Sequence, residues 1–169
     1  MGFEIDKITN SIEDALTGES LDTDVQEADR RDLKAVMKKA GWRFNWKKEF
    51  NQTTGKIYKL VINGDSTIQG LICIEAMEGW VEMHLIEAAP QNCGQGKRYL
   101  GVAGNLVAFA CRQSFDLGFD GYVAFVAKTS LIRHYEQTLG AELMFKTRMK
   151  IGQEAAKNLV NSYYQDYFK

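Results

Sequence analysis

The residues best suited to chemistry lie between 81 and 104. Val81-Glu82-Met83-His84-Leu85-Ile86-Glu87-Ala88 reads as a strand that carries two carboxylates and an imidazole. Alternation puts Glu82, His84, Ile86 and Ala88 on one face and Glu87 on the other, unless a bulge redirects Glu87. Polar groups on a half-buried strand need partners. A histidine titrates near neutral pH, and burial raises a glutamate toward the same range, so each is a candidate proton acceptor. The strand leads into Gln91-Asn92-Cys93-Gly94-Gln95-Gly96-Lys97 and then Arg98-Tyr99-Leu100-Gly101-Val102-Ala103-Gly104, which opens onto an apolar helix. Glycine-rich backbone at a helix start directs N–H groups at an anion. Proton transfer on the strand and anion binding at its end are therefore the chemistries to test.

Common phosphate loops fail on named positions. A nucleoside-triphosphate loop needs G-x-x-x-x-G-K-[ST]. Gly96-Lys97 is present, but position 91 is Gln and position 98 is Arg. The dinucleotide pattern G-x-G-x-x-G fails because Tyr99 stands where the third glycine belongs. Cys93 sits in a loop beside a helix, where a thiol pKa can fall, but no His or Asn spacing marks a partner base. Cys73, Cys93 and Cys111 are an odd set without paired spacing, which argues against a disulfide framework and a structural zinc site. No metal is expected, and Cys73 and Cys111 read as core residues.

The surrounding elements read as one domain over residues 1–169, with an N-terminal extension (1–21) and a C-terminal helix (152–169). Ile5, Ile8, Ile12 and Leu16 recur at helical spacing, but Thr9-Asn10-Ser11 interrupts them, so the first 20 residues stay ambiguous. A short strand is expected over 22–28. Asp29 is positioned to cap a helix over 30–40, with Leu33, Val36, Met37 and Ala40 inward and Gly41 as its stop. Trp42-Arg43-Phe44-Asn45-Trp46 follows, either a short helix capped by Asn45 or an irregular packed segment. Strands over 56–62 and 67–76, joined through Asn63-Gly64, and a third over 80–87 form an antiparallel meander. Next come a helix over about 104–117, a buried strand over 121–127 and a helix ending at Leu139-Gly140. One last strand (142–151) and a closing amphipathic helix (153–167) complete the chain. The strand–helix–strand crossover makes the sheet mixed.

The loop and its setting resemble the GCN5-related N-acetyltransferase superfamily, whose acetyl-CoA loop follows [Q/R]-x-x-G-x-[G/A]. The chain matches twice, at 91–96 and at 98–103. The second register is favoured, because the first leaves Gly101 and Gly104 inside a helix, at a cost of ~1 kcal/mol each relative to Ala. Residues 89–97 then form an inserted excursion, and Glu87-Ala88-Ala89-Pro90-Gln91-Asn92 is similar to an E-x-x-P-x-N stretch found in part of the superfamily. His134-Tyr135-Glu136-Gln137-Thr138-Leu139-Gly140 resembles its Tyr-x-x-x-Gly element with one residue more, and Lys128 stands where the family commonly has Asn.

The resemblance implies an α/β fold with a central, mostly antiparallel sheet of about six strands flanked by helices, the fourth and fifth strands splayed. It implies transfer of an acetyl group from acetyl-CoA to a primary amine by direct attack. Backbone at Ile86, Glu87 and Ala88 would pair with the pantetheine amides, and residues Arg98, Tyr99, Leu100, Gly101, Val102, Ala103 and Gly104, with Lys128, would hold the pyrophosphate end. Tyr135 would protonate the departing thiolate, and Glu82, His84 or Glu87 would serve as base. The alternative is a non-catalytic acyl-CoA-binding or protein-interaction module of the same fold.

Composition narrows the partners. Net charge is −1, so the whole molecule is no electrostatic trap for nucleic acid, and a nucleic-acid partner is not expected. Charge is segregated, however: residues 1–29 hold nine acids and one Lys, and residues 30–60 hold ten Lys or Arg and two acids. The acceptor is read as a small molecule or a protein. No apolar run suits a membrane span, a cytoplasmic setting is expected, and a homodimer is left open.

Overall fold

The computed structural model describes residues 2–169. Residues 2–11 are extended and lead into a hairpin of β1 (Ile12–Asp14) and β2 (Ser20–Leu21). Then come β3 (Thr23–Glu27), α1 (Trp46–Gln52), and the meander β4 (Lys56–Ile62), β5 (Gly70–Ala76) and β6 (Val81–Ala88). A short β7 (Tyr99–Leu100) pairs back onto β1 and opens directly toward α2 (Val102–Asp116). The chain finishes with β8 (Val123–Val126), α3 (Ile132–Leu139), the hairpin β9 (Glu142–Phe145) and β10 (Arg148–Ile151), and α4 (Gln153–Tyr163). Seven strands form one sheet in the order β3-β4-β5-β6-β8-β10-β9, and only β6 and β8 run parallel. The α2 crossover supplies that parallel connection.

The sheet separates two cores. β5 is buried on both faces, with Ile72 and Ile74 packing toward α2 and Leu71 and Cys73 toward the layer of Ala28, Leu33, Val36, Trp42 and Trp46. α2 is buried from Val102 to Cys111, because the sheet covers one side while α4 and the N-terminal segment cover the other. A helix apolar all round belongs in such a position. Cys73 and Cys111 are core residues, as expected, and burial pushes both thiols up, Cys73 to about 12.

The meander, the crossover, the helix ending at Gly140 and the Asn45 cap follow the sequence reading. The Asn45 side chain accepts from the Lys48 N–H at 3.0 Å, and the helix it caps buries Trp46. Three expectations are corrected. Residues 30–40 are not an α-helix. Asp29 and Asp32 do cap each other's backbone, but the chain continues as turns with bonds from Lys34 to Arg31 and from Val36 to Leu33, then a 3₁₀ turn at Lys38–Ala40. Only Leu33 and Val36 are buried, three residues apart, while Met37 and Ala40 face solvent; burial at that spacing suits a three-residue turn. The strand expected over 142–151 is a hairpin turned at Lys146, so the sheet has seven strands instead of about six. Residues 2–11, which the sequence left ambiguous, form neither helix nor strand, with Phe3, Ile5 and Thr9 buried.

The third correction concerns α2, which starts two residues before Gly104. Gly104 therefore sits in the first helical turn, where a Cβ would collide with the Tyr163 hydroxyl and lie 3.3 Å from Ile8. The close approach permitted there is to the chain's own side chains. Gly104→Ala is expected to destabilise the fold by about 1–3 kcal/mol, the usual range for overpacking a filled site. Urea unfolding of the variant beside the unmodified chain measures the difference.

Candidate functional site

β6 and β8 pair only at Val81↔Val123 and Glu82↔Ala124. β8 goes on along β10 and β6 along β5, so the two part. A bulge follows at once: Cys73 faces Leu85 and Ile74 faces Met83, which leaves His84 as the extra residue. Bulges bend and twist a strand, and this one turns β6 away from β8. It also breaks the expected alternation. Met83 and Ile86 both point into the α2 core, whereas Leu85 packs against the opposite core. From Met83 to Ala88, the β6 backbone has no strand partner on the β8 side.

The helix start lies at the open end of this cleft. Gly101 has φ 86°, a left-handed value suited to glycine, and forms the N-cap of α2. Its N–H donates to Asp6 Oδ1 at 3.0 Å, and Asp6 Oδ2 pairs with Lys97 Nζ at 3.1 Å. First-turn amides of α2 project from the same point. A cavity of about 170 Å³ lies beside them, lined among others by Phe44, Glu87, Lys97, Val102 and Ala103.

Residues 2–9 run through the cleft. Phe3 is buried, its ring stacked on Tyr135 at 4.7 Å and tilted against Phe125 at 6.0 Å. The Tyr135 hydroxyl donates to the Phe3 carbonyl. The Ile5 N–H donates to His134 Nε2 at 2.9 Å, so that nitrogen carries no proton. The Thr9 N–H donates to the Tyr163 hydroxyl at 3.1 Å, and a Cβ on Gly101 would strike Thr9. Burial holds the Tyr135 phenol well above its usual range, so it stays protonated.

The strand's three polar residues are dispersed. Glu82 is buried in a two-pronged ion pair with Arg148 and also accepts from the Trp80 indole at 3.0 Å. His84, about one-third exposed, meets Glu75 at 2.8 Å, and that hydrogen bond holds the Glu75 carboxyl below its ordinary range. Glu87 is buried on the face away from α2. Its oxygens accept from the Arg43 N–H at 2.6 Å, the Phe44 N–H at 3.3 Å and the Trp46 indole at 2.8 Å.

The inserted loop is fastened at its own end. Asn92 is buried, donates to the Gln69 carbonyl and side chain at 3.0 Å each, and accepts from the Tyr99 N–H at 3.1 Å. Pro90 packs where a Cβ on Gly41 would lie. Glu87, Pro90 and Asn92 thus tie residues 41–46, the insertion and β7 together. Gly94 and Gly96 lie in open space before the helix start. Arg98 stacks on Tyr99 with its guanidinium exposed, and Lys128 lies near Gly2. Cys93 donates to the Ala88 and Ala89 carbonyls, and burial followed by the Glu87 charge pushes its thiol up, contrary to the needs of a thiolate nucleophile. Among the described residues, no group of three or more His, Cys, Asp or Glu is placed to hold a metal, and no helix is long and apolar enough to cross a membrane.

Two participants escaped the sequence reading, Phe3 and Asp6. The signal was the period-two run Phe3-Glu4-Ile5-Asp6, which marks an extended segment with one buried face.

The residues present fit coenzyme A on two observations. A carboxylate already stands as an anion against Gly101 and Lys97, and the unpaired Ile86–Glu87–Ala88 backbone suits an extended, amide-bearing arm. No family model matches the chain, and no curated protein matches it. Solved structures do. A Bacillus subtilis acetyltransferase in complex with CoA is 16% identical, with TM-score 0.51, over 79% of this chain and 99% of its own. The AtaT–AtaR complex bound to DNA gives 12% identity and TM-score 0.55 over 82% and 99%. An Exiguobacterium protein described as a candidate acetyltransferase gives 13% and 0.50 over 82% and 98%. The chain has the fold of these acetyltransferases.

Glu87→Ala would strand two backbone amides and an indole N–H in a buried position. At about 1–3 kcal/mol for each unsatisfied group, a loss of roughly 3 kcal/mol or more is expected, read from the urea midpoint. A loss under about 0.5 kcal/mol, the range of ordinary surface substitutions, would show that the clamp does not hold residues 43–46.

Proposed function

We propose that this chain transfers an acetyl group from acetyl-CoA to an amine by direct attack. The observation that carries the reading is the β6–β8 splay opening onto the start of α2, where the chain's own Asp6 carboxylate meets the Gly101 N–H. Acetyl-CoA supplies the activated acyl carbon and a thiolate leaving group. The backbone of Ile86, Glu87 and Ala88 aligns its arm as an added strand. Amides from Gly101 to Gly104, with Lys97, neutralise its pyrophosphate. The amine nitrogen bonds to the acyl carbon as the carbon–sulfur bond breaks, and the departing sulfur takes a proton from Tyr135 Oη. A phenol kept protonated by burial is suited to that donation.

Hydrogen bonding favours one base among the three strand candidates. Glu82 is engaged by Arg148 and Trp80, and Glu87 by three donors. His84 stands on the bulge with its ring partly exposed and oriented by Glu75. We assign acceptance of the amine proton to His84. Roles in binding fall to Arg98 and Lys128 through their charge alone, since neither side chain lines the cavity.

Tyr135→Phe is expected to cut turnover by roughly 10²–10⁴-fold, the usual worth of a positioned acid. Acetyl-CoA affinity should not fall. Thiol release with a panel of amines measures turnover, and calorimetry measures affinity; equal turnover removes Tyr135 from the reaction. His84→Gln is expected to lower turnover similarly at neutral pH and to recover as pH rises and the free amine deprotonates itself. A pH–rate profile unchanged by the substitution would exclude His84 as the base.

A further inference from the structure

We propose that residues 2–9 are a built-in competitor of the coenzyme, an N-terminal strap that closes the cleft until acyl-CoA displaces it. The proposal rests on the coenzyme reading above. The strap occupies three groups which that reading assigns to the ligand: the Gly101 N–H, Lys97 and Tyr135 Oη. Asp6 places a carboxylate on the Gly101 N–H and Lys97, where a phosphate would be held. Phe3 packs against Phe125 and Tyr135 and lines the same cavity as Ile86, Glu87 and Ala88, along which the arm would lie. The Phe3 carbonyl takes the hydrogen bond from Tyr135 Oη that the leaving sulfur needs. An anion, an extended backbone and a terminal group on the tyrosine thus lie along the strap in the ligand's own order.

The attachments suit release. Among the described residues, 2–9 make no backbone-to-backbone hydrogen bond with the rest of the chain. They are held by burial of Phe3, Ile5 and Thr9, by a Lys7–Glu13 ion pair and by single bonds to Tyr135, His134, Gly101, Lys97 and Tyr163. Ladder pairing begins only at Ile12, so Asn10 and Ser11 are where a displaced strap would turn. With the strap in place, Gly101 N–H, Lys97 and Tyr135 Oη are all spoken for, and the closed form does not present them to the coenzyme. Binding and opening are therefore linked, and the apparent affinity falls by the fraction of open chains.

The test is amide hydrogen exchange on the unmodified chain with and without acetyl-CoA, alongside acetyl-CoA titration of that chain, Phe3→Ala and Asp6→Asn. Asp6 is an exposed residue, so Asp6→Asn keeps the test valid if Phe3→Ala fails to fold. Saturating acetyl-CoA is expected to speed exchange at the Ile5 and Thr9 amides. Each variant is expected to bind acetyl-CoA roughly tenfold tighter, as for a strap closed in about nine chains of ten. Binding with protected Ile5 and Thr9 amides and equal affinities would overturn the strap and leave the coenzyme reading standing. Failure of every form to bind acetyl-CoA would overturn both.

Discussion

Parallel pairing between β6 and β8 ends at Glu82 and Ala124, and the working parts of the molecule follow from that interruption. A strand pair that parts inside a sheet exposes backbone donors and acceptors that water or another chain must satisfy. It also opens a gap between two apolar cores. The bulge at His84 makes the parting local, because β6 keeps its register with β5 on the far side. One flank of the sheet stays rigid while the other opens. The helix that crosses between the two strands then starts at the mouth of the gap, with its amides directed there.

The wall beside the gap is held by groups that look chemical and act as fasteners. Glu87 is a carboxylate on the splayed strand, yet its oxygens are taken by two backbone amides and an indole. Charge-assisted bonds of this kind are stronger than neutral ones, and they make the burial of the charge tolerable. Asn92 repeats the device five residues on, tying the insertion to Gln69 and Tyr99. Together they fix residues 41–46 beside the cavity, so this wall of the cleft is shaped by buried polar bonds as well as by the loop itself.

The N-terminal segment gives the same groups a second use. Gly101, Lys97 and Tyr135 hold Asp6 and the Phe3 carbonyl. Anything that binds there must do better than a ligand attached to the chain, whose effective concentration is set by a short tether. Segregation of charge along the sequence fits this arrangement. Asp6 comes from the acidic first 29 residues and is the part of that stretch brought to the helix start.

Local pattern was sufficient for the meander and for α2 and its glycine-rich entry, because alternation and glycine placement act within a few residues, and it offered the Asn45 cap as one of two alternatives. The resemblance built on residues 87–104 reached the fold for the same reason. Residues 30–40 went astray because Leu33 and Val36 bury at a spacing that a turn also supplies, and the core beneath selected the turn. The sequence by itself determined which strand carries Glu82, His84 and Glu87 and which loop starts the helix. Tertiary structure alone decided that a bulge would separate their faces, that Arg148 and residues 43–46 would engage the two glutamates, and that Asp6 and Phe3 would meet partners 95 and 132 residues away in the chain. Those are contacts between distant residues, and no periodicity along a chain encodes them.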